Sequence, residues 1–234
     1  MKKRISKTRF IGGLAVALLL PLSFFAVFKY LSKGSLHMPH YYVVDHVDTE
    51  SVEGKMQLDT FYHQVADITL TNQLGKKVSI NNDLKGKIVV IDFFFTDCPT
   101  ICPRLTRNMT LLQRAFKKND SICHLISITV NPERDSFPVL RAYADRFGVN
   151  HDHWWFLTGD KKAIYNYARN ELFVSVQPGD GGPDDFIHTE KVVVLDKDRY
   201  IRGYYDGLDS AALAHCADDI ILLSLENKHN KKKR

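Results

Sequence analysis

Cysteine is scarce in this chain: four in 234 residues, at Cys98, Cys102, Cys123 and Cys216. Four thiols cannot staple a chain of this size, and a chain this long buries a core without cross-links, so a disulfide-built fold is excluded. Internal repeats and low-complexity blocks are absent too, which excludes repeat architectures. Excess charge is also missing from the body, despite a formal net charge of +5. Lys2, Lys3, Arg4, Lys7 and Arg9 at one end, and Lys228, Lys231, Lys232, Lys233 and Arg234 at the other, are ten of the 32 positive charges, which leaves 22 against 27 acids. A mildly acidic body argues against nucleic acid as a partner. The terminal Lys-Lys-Lys-Arg reads as a frayed, solvated end, residues 227–234.

One long apolar run exists, nineteen uncharged residues from Phe10 to Phe28, close to the ~20 that cross a bilayer as a helix. Gly12, Gly13 and Pro21 are tolerated in membrane helices. A cleaved leader would have a shorter apolar core, about 7–15 residues, and a small-residue cleavage site, which Lys29-Tyr30-Leu31-Ser32-Lys33-Gly34 does not supply. The reading is a basic cytoplasmic segment (1–9) and an uncleaved transmembrane anchor (10–31). The positive-inside rule then puts the rest of the chain on the extracytoplasmic, periplasmic side of the inner membrane, as a single-pass protein.

Residues 32–63 are polar and irregular, with Tyr41-Tyr42-Val43-Val44 as their one apolar cluster, and read as a tether with room for an added strand. From Val65 the pattern is regular. Ala66–Thr71 and Lys77–Ile80 alternate around a turn and predict a hairpin. Ile88–Phe95 is a continuous apolar run, the composition of a strand buried on both faces. Leu105, Met109, Leu112 and Phe116 have helical spacing. A strand over Leu125–Val130, a helix over Phe137–Phe147, a short strand at Trp154–Leu157 and a helix over Lys161–Asn170 follow. Lys191–Asp196 and Tyr200–Tyr205 make a second hairpin, and Ser210–Leu225 a last helix. The pattern predicts an α/β fold, a mixed sheet covered by helices on both faces, over residues 64–226.

The apolar run Ile88–Phe95 stops at Thr96-Asp97-Cys98-Pro99-Thr100-Ile101-Cys102-Pro103. The two thiols therefore fall where a central strand turns into a helix, the edge at which open α/β sheets place their chemistry. Four residues apart in a helical turn, they project on one face, about 5–6 Å between Cβ atoms. A bridge between them is sterically allowed. A thiolate at a helix N-terminus is stabilised by unpaired amides and the dipole. Two soft thiolates suit Cu(I), and one added imidazole accommodates Cu(II), whereas zinc wants a fourth ligand. The candidate imidazole is His188, which ends a loop rich in glycine and proline (Gln177–Pro183) and precedes the Lys191–Asp196 strand. A loop of that composition is a candidate lid; His188 taken alone would be an ordinary loop histidine.

Asp92, six residues before Cys98 in the buried strand, is costly to ionise if enclosed. Its alternatives are an acid that assists the thiols and a carboxyl satisfied by its surroundings. Cys123 in a strand and Cys216 in a helix read as structural thiols, and His151 and His153 as loop histidines. Three functions stay open on these residues. One is a metal-binding chaperone, not an enzyme. The second is a thiol–disulfide oxidoreductase, although such enzymes use Cys-x-x-Cys and here the spacing is one longer. The third is a peroxidase of the peroxiredoxin type using Thr96 and Arg134, which would leave His188 idle.

Taken together, Cys98-Pro99-Thr100-Ile101-Cys102-Pro103 after an apolar strand, Val130-Asn131-Pro132-Glu133-Arg134-Asp135 after the next, and His188 before the late hairpin resemble the Sco/SenC family of membrane-anchored copper-handling proteins. The resemblance covers Val65–Leu225 plus the anchor. It implies a thioredoxin-like fold with an extra N-terminal hairpin, and copper, Cu(I) or Cu(II), bound by Cys98, Cys102 and His188. It also implies a role in building the dinuclear copper site of a respiratory oxidase, with the oxidase's copper-receiving subunit and a thiol reductant as partners. Asp97 and Thr189-Glu190 depart from the usual pattern without removing a ligand.

The orientation is directly testable. A reporter that works only in the cytoplasm, fused after Arg234, is expected to be inactive, because the basic flank precedes the apolar run; an active fusion would refute the topology.

Overall fold

The computed structural model describes residues 7–31, 38–52, 55–118, 121–174 and 189–226. The chain divides into two units, Met1–His37 and Met38–Arg234. In the first, helix α1 runs from Lys7 to Leu31 with Pro21 inside it. Its described side chains from Val16 to Phe28 are apolar and exposed on every side, Pro21 and Ser23 excepted. Among the described residues no helix is long and apolar enough to span a membrane.

The second unit opens with β1 (Val44–Val52) and β2 (Lys55–Tyr62), paired antiparallel in a sheet of their own. The stretch read as irregular therefore contains a regular ribbon. Its strand signal is the alternation Met56, Leu58, Thr60, Tyr62, which the acidic residues of β1 dilute. The remaining strands are β3 (Thr69–Asn72), β4 (Lys77–Ser79), β5 (Ile88–Phe94), β6 (Cys123–Thr129), β7 (Trp154–Thr158), β8 (Lys191–Leu195) and β9 (Ile201–Asp206). They form one sheet in the order β4-β3-β7-β6-β5-β8-β9. β5, β6 and β7 are parallel, while β3, β4, β8 and β9 join antiparallel. This is the mixed sheet expected, with the hairpin β3–β4 at one end; Gly75, at φ 76°, makes its turn.

Each strand divides its side chains between two cores by period two. Ile88, Val90 and Phe94 of β5 face one side, packed beneath α3 (Ile101–Ala115), α4 (Phe137–Arg146) and α6 (Ser210–Leu225). Val89, Ile91 and Phe93 face the other, with α5 (Lys161–Asn166) and the short α2 (Ile80–Asp83). β5 and β6 have no exposed residue, as a central parallel pair requires. The helix expected over Lys161–Asn170 changes character midway: α5 is followed by a π-helical turn, Tyr167–Glu171, and then by Phe173 at φ 52°.

Two buried arginines close the sheet's late edge. Arg199, in the β8–β9 turn, donates to the carbonyls of Ile80, Leu84, Lys87 and Asp196 and to the side chain of Asn81 at 2.6–3.2 Å. Arg202 on β9 is 1% exposed. It donates to Asp196 Oδ2 at 2.9 Å and Glu226 Oε2 at 2.6 Å, and its Nη2 donates to the carbonyl of Pro39 at 2.7 Å. Its guanidinium carbon lies 4.2 Å from the centre of the Tyr41 ring. One cation thus joins the entry of the domain, its last hairpin and its last residue before the tail.

Arg202→Ala would leave Asp196 and Glu226 buried without their cation, and removing one partner of a buried pair costs about 3–5 kcal/mol. Urea unfolding followed through Trp154 and Trp155 fluorescence is the measurement. A loss within the ~0–1 kcal/mol of an exposed pair would contradict the role given to Arg202.

Candidate metal centre

β5 ends at Phe94, and α3 begins at Ile101 with Thr100 as its N-cap, which makes no side-chain capping bond. Cys98 lies in the intervening turn and Cys102 in the first turn of the helix. Pro103 is the third helical residue and Pro99 stands before the helix, so neither proline removes an amide that the helix uses. Both thiols are free, and both are buried, Cys98 at 9% and Cys102 at 5% exposure. They were expected at the sheet edge and outside the core. They are at the edge, but they also belong to the apolar cluster under α3 that holds Phe94 and Leu105.

The two sulfurs have opposite surroundings. The amide of Cys102 donates to Cys98 Sγ at 3.4 Å. Burial pulls the Cys98 thiol up, but hydrogen bonds from the backbone of Cys102, Thr100 and Ile101 and from the Cys102 thiol outweigh it and hold Cys98 below the ordinary thiol value. This is the helix N-terminus acting on a thiolate. Burial, with further contributions from Cys98 and Asp92, pushes Cys102 up to about 12. The two sulfurs are therefore not equivalent: the Cys98 thiol is held below its ordinary value and the Cys102 thiol above it.

A carboxyl group that is wholly buried fixes the turn. Asp135 accepts hydrogen bonds from the amide of Thr96 at 3.1 Å and from the hydroxyls of Thr96 and Thr129. Its own amide donates to the carbonyl of Asn131 at 2.9 Å. The Val130–Asp135 segment is thereby a clasp that sets where Thr96, two residues before Cys98, must lie. Arg134, beside it, pairs with Asp97 at 3.1 Å in an exposed bridge. Thr96 is tied to Asp135 in the turn, while Arg134 is held only by an exposed ion pair with Asp97.

Asp92 lies on the same face of β5 as Phe94, beneath α3, with no solvent exposure. Ser127 Oγ donates to its Oδ1 at 2.6 Å and takes the Trp154 indole hydrogen at 2.9 Å, while Asp92 Oδ2 has no hydrogen-bond partner. Burial raises Asp92 to about 7, against the lowering effect of Ser127. The carboxyl is thus half satisfied and holds its proton near neutrality.

The other sequence candidates resolve as follows. His188 lies outside the described residues. The chain resumes at Thr189, and the Glu190 carbonyl accepts from the Gly207 amide at 2.9 Å. A Cβ on Gly207 would come within 2.1 Å of Leu105, one turn beyond Cys102 on α3. His151 is structural, bonded to Gln73 and Asp145 at 2.9 Å each. Cys123 and Cys216 are buried; burial pushes Cys123 up to about 12 and raises Cys216 too. Among the described residues no group of three or more His, Cys, Asp or Glu is placed to hold a metal ion. Sequence reasoning missed Asp135; its signal was the position of Val130–Asp135 after the strand next to β5.

With this geometry in place, the comparisons with known proteins are specific. The chain belongs to the SCO1/SenC family, whose model matches residues 47–220. The SCO1 protein homolog of Bacillus subtilis (strain 168) is 32% identical over 168 residues, covering 72% of this chain and 84% of the relative. The structure of BsSco, a member of the Sco family of cytochrome c oxidase assembly proteins in which a disulfide switch was identified, matches with a TM-score of 0.59 and 31% identity, over 70% of this chain and 95% of that one. Bradyrhizobium japonicum ScoI, solved with copper bound, matches with a TM-score of 0.54 and 27% identity, over 68% and 98%. The thioredoxin-like fold expected from the sequence is the one these relatives share.

The environment of Asp92 has a measurable consequence. Between the unfolded value of 3.8 and the folded value of about 7, the native chain keeps a proton that the unfolded chain has released. Stability then falls as pH rises through that window, by up to about 4 kcal/mol from this group. Asp92→Asn is expected to flatten the stability–pH curve between about pH 4 and 7 relative to the parent. Parallel curves for the two proteins would show that Asp92 does not carry the proton.

Proposed function

We propose that this chain is a copper metallochaperone, anchored in the inner membrane by residues 10–31, with the ribbon β1–β2 inside the stretch 32–63 that links the anchor to a copper-binding domain, 64–226, on the periplasmic side. Copper is cargo, held by Cys98, Cys102 and His188 and handed to the copper-receiving subunit of a terminal oxidase. The observation that carries the reading is the pair of free, buried thiols at one helix N-terminus, in a chain of the SCO1/SenC family. Two relatives support it: one was solved with copper bound and the other belongs to a family of cytochrome c oxidase assembly proteins.

The donor set fits the ion. Two soft sulfurs satisfy Cu(I), and a nitrogen donor extends the site to Cu(II). Ligation as thiolate is easier for Cys98, whose thiol is held below its ordinary value, than for Cys102, whose thiol is raised, so loading the site releases protons. The fixing of Glu190 against Gly207, beside Leu105, supports the assignment of His188, since residue 188 is two residues from that contact. The anchor rests on the uncharged run from Phe10 to Phe28 and its basic flank.

A second reading has its own observation. One thiol lowered and its neighbour raised, with Asp92 below them, is the asymmetry that thiol–disulfide exchange uses: an attacking thiolate and a resolving thiol. Reduction of the acceptor's cysteines before copper transfer would use the same two sulfurs.

Copper stoichiometry and the absorption spectrum of the Cu(II) form test the site. Cys98→Ser and Cys102→Ser are each expected to abolish tight copper binding, while Cys123→Ser and Cys216→Ser keep it at some cost in stability, because each buries a hydroxyl. His188→Ala should weaken Cu(II) binding far more than Cu(I) binding and remove the thiolate-to-copper band in its native form. Equal loss of both oxidation states would sink the ligand assignment, and copper binding that survives Cys98→Ser would sink the site.

A further inference from the structure

Apolar exposure in the unit Met38–Arg234 concentrates on a feature that copper binding leaves unused. β1 and β2 pair only with each other among the described residues. Directly opposed residues share a face. Val47↔Thr60, Thr49↔Leu58 and Ser51↔Met56 define one face, and Asp48↔Asp59 and His46↔Phe61 define the other. The first face carries no charge, and on it Val47, Leu58 and Met56 are 50%, 68% and 76% exposed. The second face sets the carboxylates of Asp48 and Asp59 directly opposite each other.

A two-stranded ribbon is marginal alone in water, and an uncharged face set against one that carries carboxylates is the pattern of a sheet covered on one side; the second face also holds Phe61, 45% exposed and stacked on His46. We propose that the uncharged face of this ribbon lies on a lipid surface; the proposal rests on the membrane-anchoring reading above. Residues 32–43 separate α1 from β1, so the ribbon starts at most ~45 Å along the chain from the helix end. So short a leash keeps the ribbon at the membrane at millimolar effective concentration or above, where a small apolar patch suffices. Aromatic side chains gather at the ribbon's base: the rings of Tyr41 and Tyr62 stack at 4.6 Å, and Tyr42 is 54% exposed. Tyrosine is the residue that favours the headgroup level. Asp48 and Asp59 then face water. The ribbon acts as a lipid-facing foot that fixes how the copper-binding domain stands over the bilayer.

The test uses the full chain in vesicles of phosphatidylethanolamine and phosphatidylglycerol, with a photoreactive benzophenone side chain placed singly at Leu20, Leu58 or Asp59. Adducts are read by mass spectrometry after illumination. All three positions are exposed within their units or assigned to lipid, so the fold tolerates the label. Lipid adducts are expected at Leu20 and at Leu58, the latter several-fold above Asp59. Lipid capture at Leu20 but not at Leu58 would overturn the ribbon proposal and leave anchoring intact. Absence of lipid at Leu20 would overturn the anchoring reading and this proposal with it. A protein–protein adduct at Leu58 in place of lipid would assign the face to a second copy and overturn the proposal.

Discussion

Asp135 has no solvent exposure, and its carboxyl group takes hydrogens from the amide and hydroxyl of Thr96 and from the hydroxyl of Thr129. Thr129 closes β6 and Thr96 follows β5, so this one group joins the carboxyl ends of the two central parallel strands. Everything chemical in the molecule depends on that join. It decides where β5 stops, hence where α3 starts, hence which amides are left unpaired to meet Cys98. Truncating Asp135 would leave buried donors without an acceptor, at about 1–3 kcal/mol each. The larger effect would fall on position, because this carboxyl group ties Thr96, two residues before Cys98, to β6.

The same turn explains why two neighbouring thiols differ. Cys98 precedes the helix, and its sulfur looks at the open amides; Cys102 is inside the helix, and its sulfur looks down into the core. Burial acts on both, but only Cys98 has donors to offset it. Asp92 adds to the contrast. As a neutral acid it does not oppose a second thiolate above it, whereas as a carboxylate it would. A buried acid near its titration point under a pair of sulfurs therefore links proton count to whatever the sulfurs bind.

What was legible in the sequence was local. The continuous apolar run of β5, the 3.6-residue spacing of α3 and the bounds of α6 follow from neighbours in the chain, and the structure has them within a residue or two. The Cys98–Cys102 spacing was legible for the same reason. Contacts between distant residues were not. Thr96 and Asp135 are 39 positions apart, and Arg202 and Pro39 are 163 apart; no periodicity encodes either. The ribbon β1–β2 was missed for another reason: its apolar face is not buried by its own domain, so it lacks the hydrophobic density that marks a strand in sequence.

Stability and chemistry occupy different ends of the sheet. Arg199 and Arg202 satisfy five carbonyls and two carboxylates where the chain enters, turns and leaves at β9. That end has its buried charges paired and its carbonyls filled. At the other end, Asp92 keeps an oxygen without a partner and two free thiols are enclosed without a bridge. Unsatisfied polar atoms are costly in a core and persist where the rest of the fold over-determines them. The arginine end supplies that excess of constraint. It lets a sheet of ordinary composition hold, at its carboxyl edge, a set of groups that would be more stable protonated, bridged or bound than as they stand.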